Sequence, residues 1–203
     1  MSVLFGVQPL PFTWPYALVF WGVGLWVFLP EGRLTVRARE GAARADSPDR
    51  GSLRLIVVAN QLAAFTAFFV CGVAATAVPP AWRVPCFWAG IALLVLGALL
   101  RRHCFRTLGQ YFTGDVNVRD HQPVIDRGAY RWLRHPSYTA GMMIFTGIGV
   151  ALGNWLSMLV LAVTMVVVYA NRVRVEERVL LETLGEPYAQ FTRTRKRFIP
   201  FLF

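Results

Sequence analysis

The apolar residues of this 203-residue chain fall in long blocks, set apart by polar stretches that are mostly basic. Neither the two-residue alternation of a half-buried strand nor the narrow stripe of a soluble amphipathic helix dominates. Blocks of this kind predict helices that are apolar all round, as a lipid environment demands. Five can be drawn. The first three are about Phe12–Leu29, ending at Pro30, about Leu55–Val78, ending at Pro79-Pro80, and about Val84–Leu100, stopping at Arg101-Arg102. The other two lie within Tyr138–Ala170, roughly 138–152 and 155–171. That last run is too long for one perpendicular span of ~20 residues and short for two. Its interruption at Gly153-Asn154 predicts a tight helical hairpin, tilted or incompletely spanning.

Composition points the same way. The chain is 56% hydrophobic and only 16% charged, too little charge to cover a soluble domain of this size. No basic segment precedes the first apolar block and no small-residue cleavage site follows it, so that block does not read as a cleaved leader. The net charge of +10 sits in loops flanking the apolar blocks. Anionic headgroups and topology account for such placement better than nucleic acid does. Cys71, Cys86 and Cys104 are scattered, with no CxxC pair and no histidine at ligand spacing. Neither a disulfide framework nor a metal site is expected.

The basic residues also set a topology. Residues 1–30 carry no Lys or Arg, the loop 31–54 has six arginines, and the turn 79–83 has one. The segment 101–134 has seven, the tip 153–154 none, and the tail from Arg172 onward seven. Basic and nearly neutral loops alternate, which the positive-inside rule satisfies with five spans and not with four. The expected fold is an all-α integral membrane protein of about five transmembrane helices, the last two a hairpin. Its N-terminus lies outside; the 31–54 loop, the 101–134 connector and the C-terminal tail lie in the cytoplasm. Residues 1–100 form a three-helix membrane part, and 101–203 hold the connector, hairpin, C-terminal helix and tail. Residues 36–52 read as a flexible loop or a short surface helix and carry no evident chemistry.

Two polar pieces, 101–138 and 172–203, therefore meet on one side of the membrane beside the hairpin. In the first, "YFTGDVNV" alternates around a Gly-Asp turn and predicts an extended arm. Pro123 and Gly128 punctuate the loop after it. Pro136 suits the first turn of a helix, so the fourth helix should begin there with its N–H groups and positive dipole end facing the interface. An anionic or carboxylate group can be held at such a terminus. Gly141, one and a half turns on, would let a backbone or flat ring come close. Arg, Trp and Tyr beside an apolar block are also ordinary interfacial anchors. In the second piece Arg172 and Glu176 are four apart and share a helix face. An exposed pair of that kind contributes only ~0.3–0.5 kcal/mol. At the end of a membrane span, however, ionisable groups tend to face the protein interior and carry function. Gly185 and Pro187 break this helix. The tail "TRTRKRFIPFLF" is a basic-aromatic strip suited to lying on headgroups and closing over the site.

Taken together, "DHQPVIDRGAYRWLRHPSYTAG", Arg172 with Glu176-Glu177, and "LGEPYAQF" followed by "KRFIP" resemble the isoprenylcysteine carboxyl methyltransferase family. The related phospholipid N-methyltransferases share parts of this pattern. The likeness covers roughly residues 97–201; the amino-terminal spans match only in character. It implies methyl transfer from S-adenosylmethionine in a cytoplasm-facing pocket made by the connector and the C-terminal segment. Carried over by position, His121, Gln122 and Val124 would line the cofactor. Tyr130, Arg134, His135, Pro136, Tyr138 and Gly141 would form the floor and hold its amino-acid portion. Glu177 would contact its amino group, with Tyr188 closing nearby. Arg172 and Glu176 match the family's catalytic pair. Thr194 stands where relatives often have a basic residue, and Phe191 where tyrosine is frequent. The acceptor stays open between a lipophilic carboxylate, isoprenylcysteine-like, and an amine, presented as a small molecule or a lipidated partner. Two other classes compete: an NADPH-dependent membrane reductase of the sterol-reductase type, and a non-catalytic membrane scaffold.

Overall fold

The computed structural model describes residues 6–42, 52–111 and 123–198. Six α-helices follow one another: α1 Tyr16–Ala42, α2 Ser52–Val70, α3 Pro80–Leu108, α4 Pro136–Ala151, α5 Trp155–Leu184 and α6 Glu186–Thr194. Short 3-10 turns lie between them, of which Gly128–Arg131 matters below. Among the described residues there is no strand, only two isolated bridges, Ala77 with Asn154 and Leu133 with Lys196.

Helix α4 sits at the centre. It packs along α3 on one side and α5 on the other, while α2 leans on α5 and α1 on α3. The α3–α4 seam is close because small residues face each other across it. A Cβ built on Gly97 would lie 2.9 Å from the Ala140 carbonyl, and one on Gly147 would lie 2.8 Å from that of Gly90. Where lipid offers helices no hydrophobic reason to associate, backbone contact of this kind supplies the dispersion that does. Phe87, Leu94, Ile144, Ile148 and Leu161 fill the interior between the helices.

The outside is as apolar as the inside. Leu18 and Leu25 on α1, Phe65 and Phe69 on α2, Leu96 on α3, and Val163 and Val167 on α5 all stand exposed. Such a continuous outward face is a lipid-facing surface rather than a solvated one. Helices α3 and α5 are each long and apolar enough to cross a membrane. With 16 residues, α4 reaches only about 24 Å, short of a ~30 Å hydrocarbon core.

Element boundaries follow local chemistry where that chemistry is local. Pro136 opens α4 at N1. Gly153 takes φ 64° in the hairpin turn, and the Asn154 side chain accepts the Ser157 N–H at 3.1 Å, capping α5. Gly185, at φ 61°, ends α5, and Pro187 lies in the first turn of α6. Two expectations need correction. The first helix does not stop at Pro30 but continues to Ala42, since one missing N–H is a cost a long helix can absorb. The second ends at Val70, not Val78. Residues Cys71–Val78 leave the helix because the hairpin tip supplies other partners. Asn154 Nδ2 donates to the Val73 carbonyl at 3.2 Å and to Thr76 Oγ1 at 2.9 Å, and the Val78 N–H donates to the Gly153 carbonyl at 2.9 Å. The extended arm expected at 111–118 lies almost wholly outside the described residues.

Candidate active site

The polar end of α5 carries the site. Tyr169, Arg172 and Glu176 recur at helical spacing on one stripe, with Val173 and Glu177 on the adjoining one. Arg172 and Glu177 are buried, at 4% and 7% exposure, in a region most charged side chains avoid unless paired. Their partners come from the N-terminus of α4 and from the tail after α6.

Glu177 is a hub. Its Oε1 accepts from Arg134 Nη1 at 2.7 Å and lies 3.2 Å from His135 Nε2. Its Oε2 accepts from Arg197 Nη2 at 2.8 Å and Nε at 3.1 Å. Burial by itself would raise this carboxyl. The hydrogen bonds from His135 and Arg197, with the charges of His135 and Arg134, outweigh burial and pull it down to about 2.

Glu176 points elsewhere. Its Oε2 accepts from the Tyr138 hydroxyl at 2.6 Å, and that hydroxyl accepts from Arg172 Nε at 3.3 Å. Arg172 and Glu176, four residues apart on α5, are thus joined through a phenol of α4. His135 touches both carboxylates, with Nδ1 3.7 Å from Glu176 and Nε2 3.2 Å from Glu177. The Tyr138 ring is stacked between those of His135 and Tyr169, at centroid distances of 5.6 and 5.0 Å. Gly141 faces Tyr169 so closely that a Cβ there would collide with the phenol ring.

The tail binds the start of α4 through its backbone. The N–H groups of Arg134 and His135 donate to the carbonyls of Lys196 and Arg197 at 2.8 and 3.1 Å. Thr139 Oγ1 donates to the Phe198 carbonyl at 2.7 Å. The tail thus engages the two amides that immediately precede α4.

Of the residues singled out from the sequence, Arg134, His135, Tyr138, Arg172, Glu176 and Glu177 share this one network. Pro136 and Gly141 are buried within its α4 wall. Tyr188 is buried on α6 beside Phe191, and burial first, then the charges of Glu177 and Glu176, push its phenol up. Tyr130 stands to one side, beside Cys104 of α3 and Ser137, its phenol likewise pushed up by burial. Val124 is half-buried in the connector. His121 and Gln122 lie outside the described residues. Tyr169 and Arg197 were not anticipated. Tyr169 shares the Arg172 face three residues earlier, a signal that was available. Arg197 sits in a basic run whose other members do different things. Arg193 reaches the exposed Glu186 at 3.7 Å, and Arg195 lies over the Phe191 ring.

An all-helical bundle with a lipid-compatible exterior, and a buried network of charges where two of its helices leave the apolar zone, defines an integral membrane protein with a polar site at one end. The chain belongs to the phospholipid methyltransferase family, whose model matches residues 85–187, half the chain and all of the α3–α5 core but the first turn of α3. It is 30% identical over 115 residues to protein-S-isoprenylcysteine O-methyltransferase B of Arabidopsis thaliana, a stretch that is 56% of this chain and 58% of that one. To the Saccharomyces cerevisiae protein-S-isoprenylcysteine O-methyltransferase it is 30% identical over 120 residues, 58% of this chain and 50% of that one. The matched stretch thus spans only about half of these relatives' length. A solved structure of the eukaryotic intramembrane Ras methyltransferase ICMT superposes with a TM-score of 0.61 at 20% identity, over 93% of this chain and 68% of that one. The shared fold therefore extends past the stretch where sequence similarity is detectable.

Proposed function

We propose that this chain is a membrane-embedded methyltransferase that uses S-adenosylmethionine and acts on a lipophilic carboxylate of the isoprenylcysteine type. The observation that carries this reading is the partly buried Arg172–Tyr138–Glu176 chain lying directly beside the Arg134–His135–Glu177 cluster. Family membership and the names of the relatives support it.

The residues present suit such a cofactor. Arg134 Nε is buried and has no hydrogen-bond partner, so a donor is left over for a carboxylate. Tyr188 and the His135–Tyr138 stack offer flat apolar surface nearby. In this reading Arg134, His135, Tyr138 and Tyr188 hold the amino-acid portion. Glu177 orders them, because both its oxygens are engaged by the protein. We infer from the family likeness that His121, Gln122, Val124 and Tyr130 line the cofactor as well.

When bound, S-adenosylmethionine supplies a methyl already activated by its sulfonium, so the protein's task is alignment. Arg172 holds the acceptor carboxylate by charge-assisted hydrogen bonds. Glu176, the more exposed of the two glutamates with a side chain 29% accessible, sets the position of that acceptor through Tyr138 and His135. Burial of the guanidinium excludes water and strengthens its hold on an anion. A buried arginine favours a carboxylate over an amine, which Glu176 would instead have to deprotonate. The alternation of basic and nearly neutral loops supports a cytoplasm-facing site in a five-span threading.

The test is transfer of labelled methyl from S-adenosylmethionine to an S-isoprenylcysteine by the purified full chain in detergent. An S-isoprenylcysteine ester should form. A melting temperature raised by NADPH and not by S-adenosylmethionine would favour the reductase reading instead.

A further inference from the structure

The three side chains that grip Glu177 are not equivalent in their surroundings. Those of Arg134 and His135 are 14% and 4% exposed, whereas that of Arg197 is 49% exposed and comes from the C-terminal tail. Arg197 nevertheless makes the fullest contact, with two of its nitrogens on Oε2 of Glu177. The tail segment 195–198 also covers the entry to α4, where the Lys196, Arg197 and Phe198 carbonyls accept hydrogen bonds from Arg134, His135 and Thr139. The Phe198 ring lies 6.4 Å from that of His135. One short segment therefore fixes both the carboxylate of α5 and the backbone that carries Arg134 and His135.

We propose that Arg197 is a positioning residue for the cofactor-binding cluster: by holding Glu177 from the solvent side it strap-locks residues 195–198 over the α4 N-terminus and aligns Arg134 and His135. This rests on the function proposed above. The physical reason is the sharing of Glu177. With Arg197 in place, its two nitrogens hold Oε2 and its Nε also reaches Oε1 at 3.4 Å, which fixes the carboxylate against Arg134 and His135. Without it, Glu177 would be free to swing toward either remaining partner, and the tail would lose its side-chain tie to Glu177 of α5. His135 would then lose its alignment with Glu176 as well, because one imidazole spans both carboxylates. Lysine at this position would keep the charge but not the paired geometry, since an ammonium is a point charge with no planar fork.

Two measurements on the full chain in nanodiscs decide the matter. The first needs no cofactor: hydrogen exchange of the amides of Arg134 and His135, which the tail carbonyls protect. Arg197→Ala should speed their exchange at least tenfold while leaving the mid-α5 amides as in wild type. The second is S-adenosylmethionine affinity by calorimetry. Arg197→Ala should weaken binding about tenfold, as expected for loss of a charge-assisted pair, and Arg197→Lys should fall between it and wild type. At saturating cofactor, kcat should drop less than threefold. Unchanged exchange and unchanged affinity in Arg197→Ala would overturn the proposal. So would a lowered melting temperature with wild-type affinity in the folded fraction, which a purely structural role would give. Should Arg197→Ala not fold, Arg197→Gln carries the same expectation and the same refutation. Failure of the wild type to bind S-adenosylmethionine would sink the functional reading instead, and the exchange result would still stand or fall by itself.

Discussion

Successive residues on a helix point about 100° apart, so Glu176 and Glu177 turn to largely different partners, although His135 reaches both. Glu177 turns toward Arg134, His135 and Arg197; Glu176 turns toward Tyr138. The division predicts different failures. Glu176→Gln should lower turnover by more than 100-fold while changing S-adenosylmethionine affinity less than threefold, measured by initial rates and calorimetry on one preparation. Equal loss of binding and turnover would contradict the assignment. Glu177 also leaves a signature in acid. Its carboxyl sits at about 2 in the folded chain against 4.5 for an unperturbed one. A depressed pKa contributes stability that is complete above the unfolded value and is lost as pH falls through the folded one. Wild type should therefore lose thermal stability between about pH 4.5 and 2, and Glu177→Gln, less stable at neutral pH, should lose less across that window. Circular dichroism melts in an acid-tolerant detergent would show it. At this scale the sequence was informative about Arg134, His135, Tyr138, Arg172 and the glutamates because a dense motif carries them. It was silent on Arg197 because one arginine in a basic run looks like the next.

Helices were legible wherever their ends are written in nearby residues. Pro136, Gly153-Asn154 and Gly185 each mark a boundary that the chain observes. The end of α2 was not legible, since Cys71–Val78 stays apolar and the group that draws it out of the helix, Asn154, lies about eighty residues further on. That side chain caps α5 and ties down the 71–78 turn at once. Asn154→Ala should cost about 2 kcal/mol, one cap plus buried carbonyls left unpaired. Chemical denaturation in mixed micelles would measure it, and a loss below 0.5 kcal/mol would show that the turn holds itself. The α3–α4 seam makes a second demand. Gly147→Leu has no space against the Gly90 carbonyl and Leu94, and should separate the two helices, seen as faster exchange along both.

On the scale of the whole molecule, the apolar exterior, the short α4 and the charge at one end describe a bundle set in a bilayer with its polar network at the interface. The basic loops lead us to propose a cytoplasmic side for that network. A single cysteine introduced at Arg193, in a background lacking Cys71, Cys86 and Cys104, should react with an impermeant maleimide only after the cells are opened; reaction in intact cells would reverse the topology. Tail, α4 terminus and α5 converge on one cluster although more than forty residues separate Arg134 from Glu177 and twenty separate Glu177 from Arg197. That convergence is what a single chain's hydrophobic pattern cannot display. The most direct measurement is calorimetric titration of S-adenosylmethionine into the full chain, wild type and His135→Ala, in nanodiscs. Saturable one-site binding by wild type, weakened at least tenfold in His135→Ala, is the expected result. No binding by wild type, or equal binding by both, would contradict it.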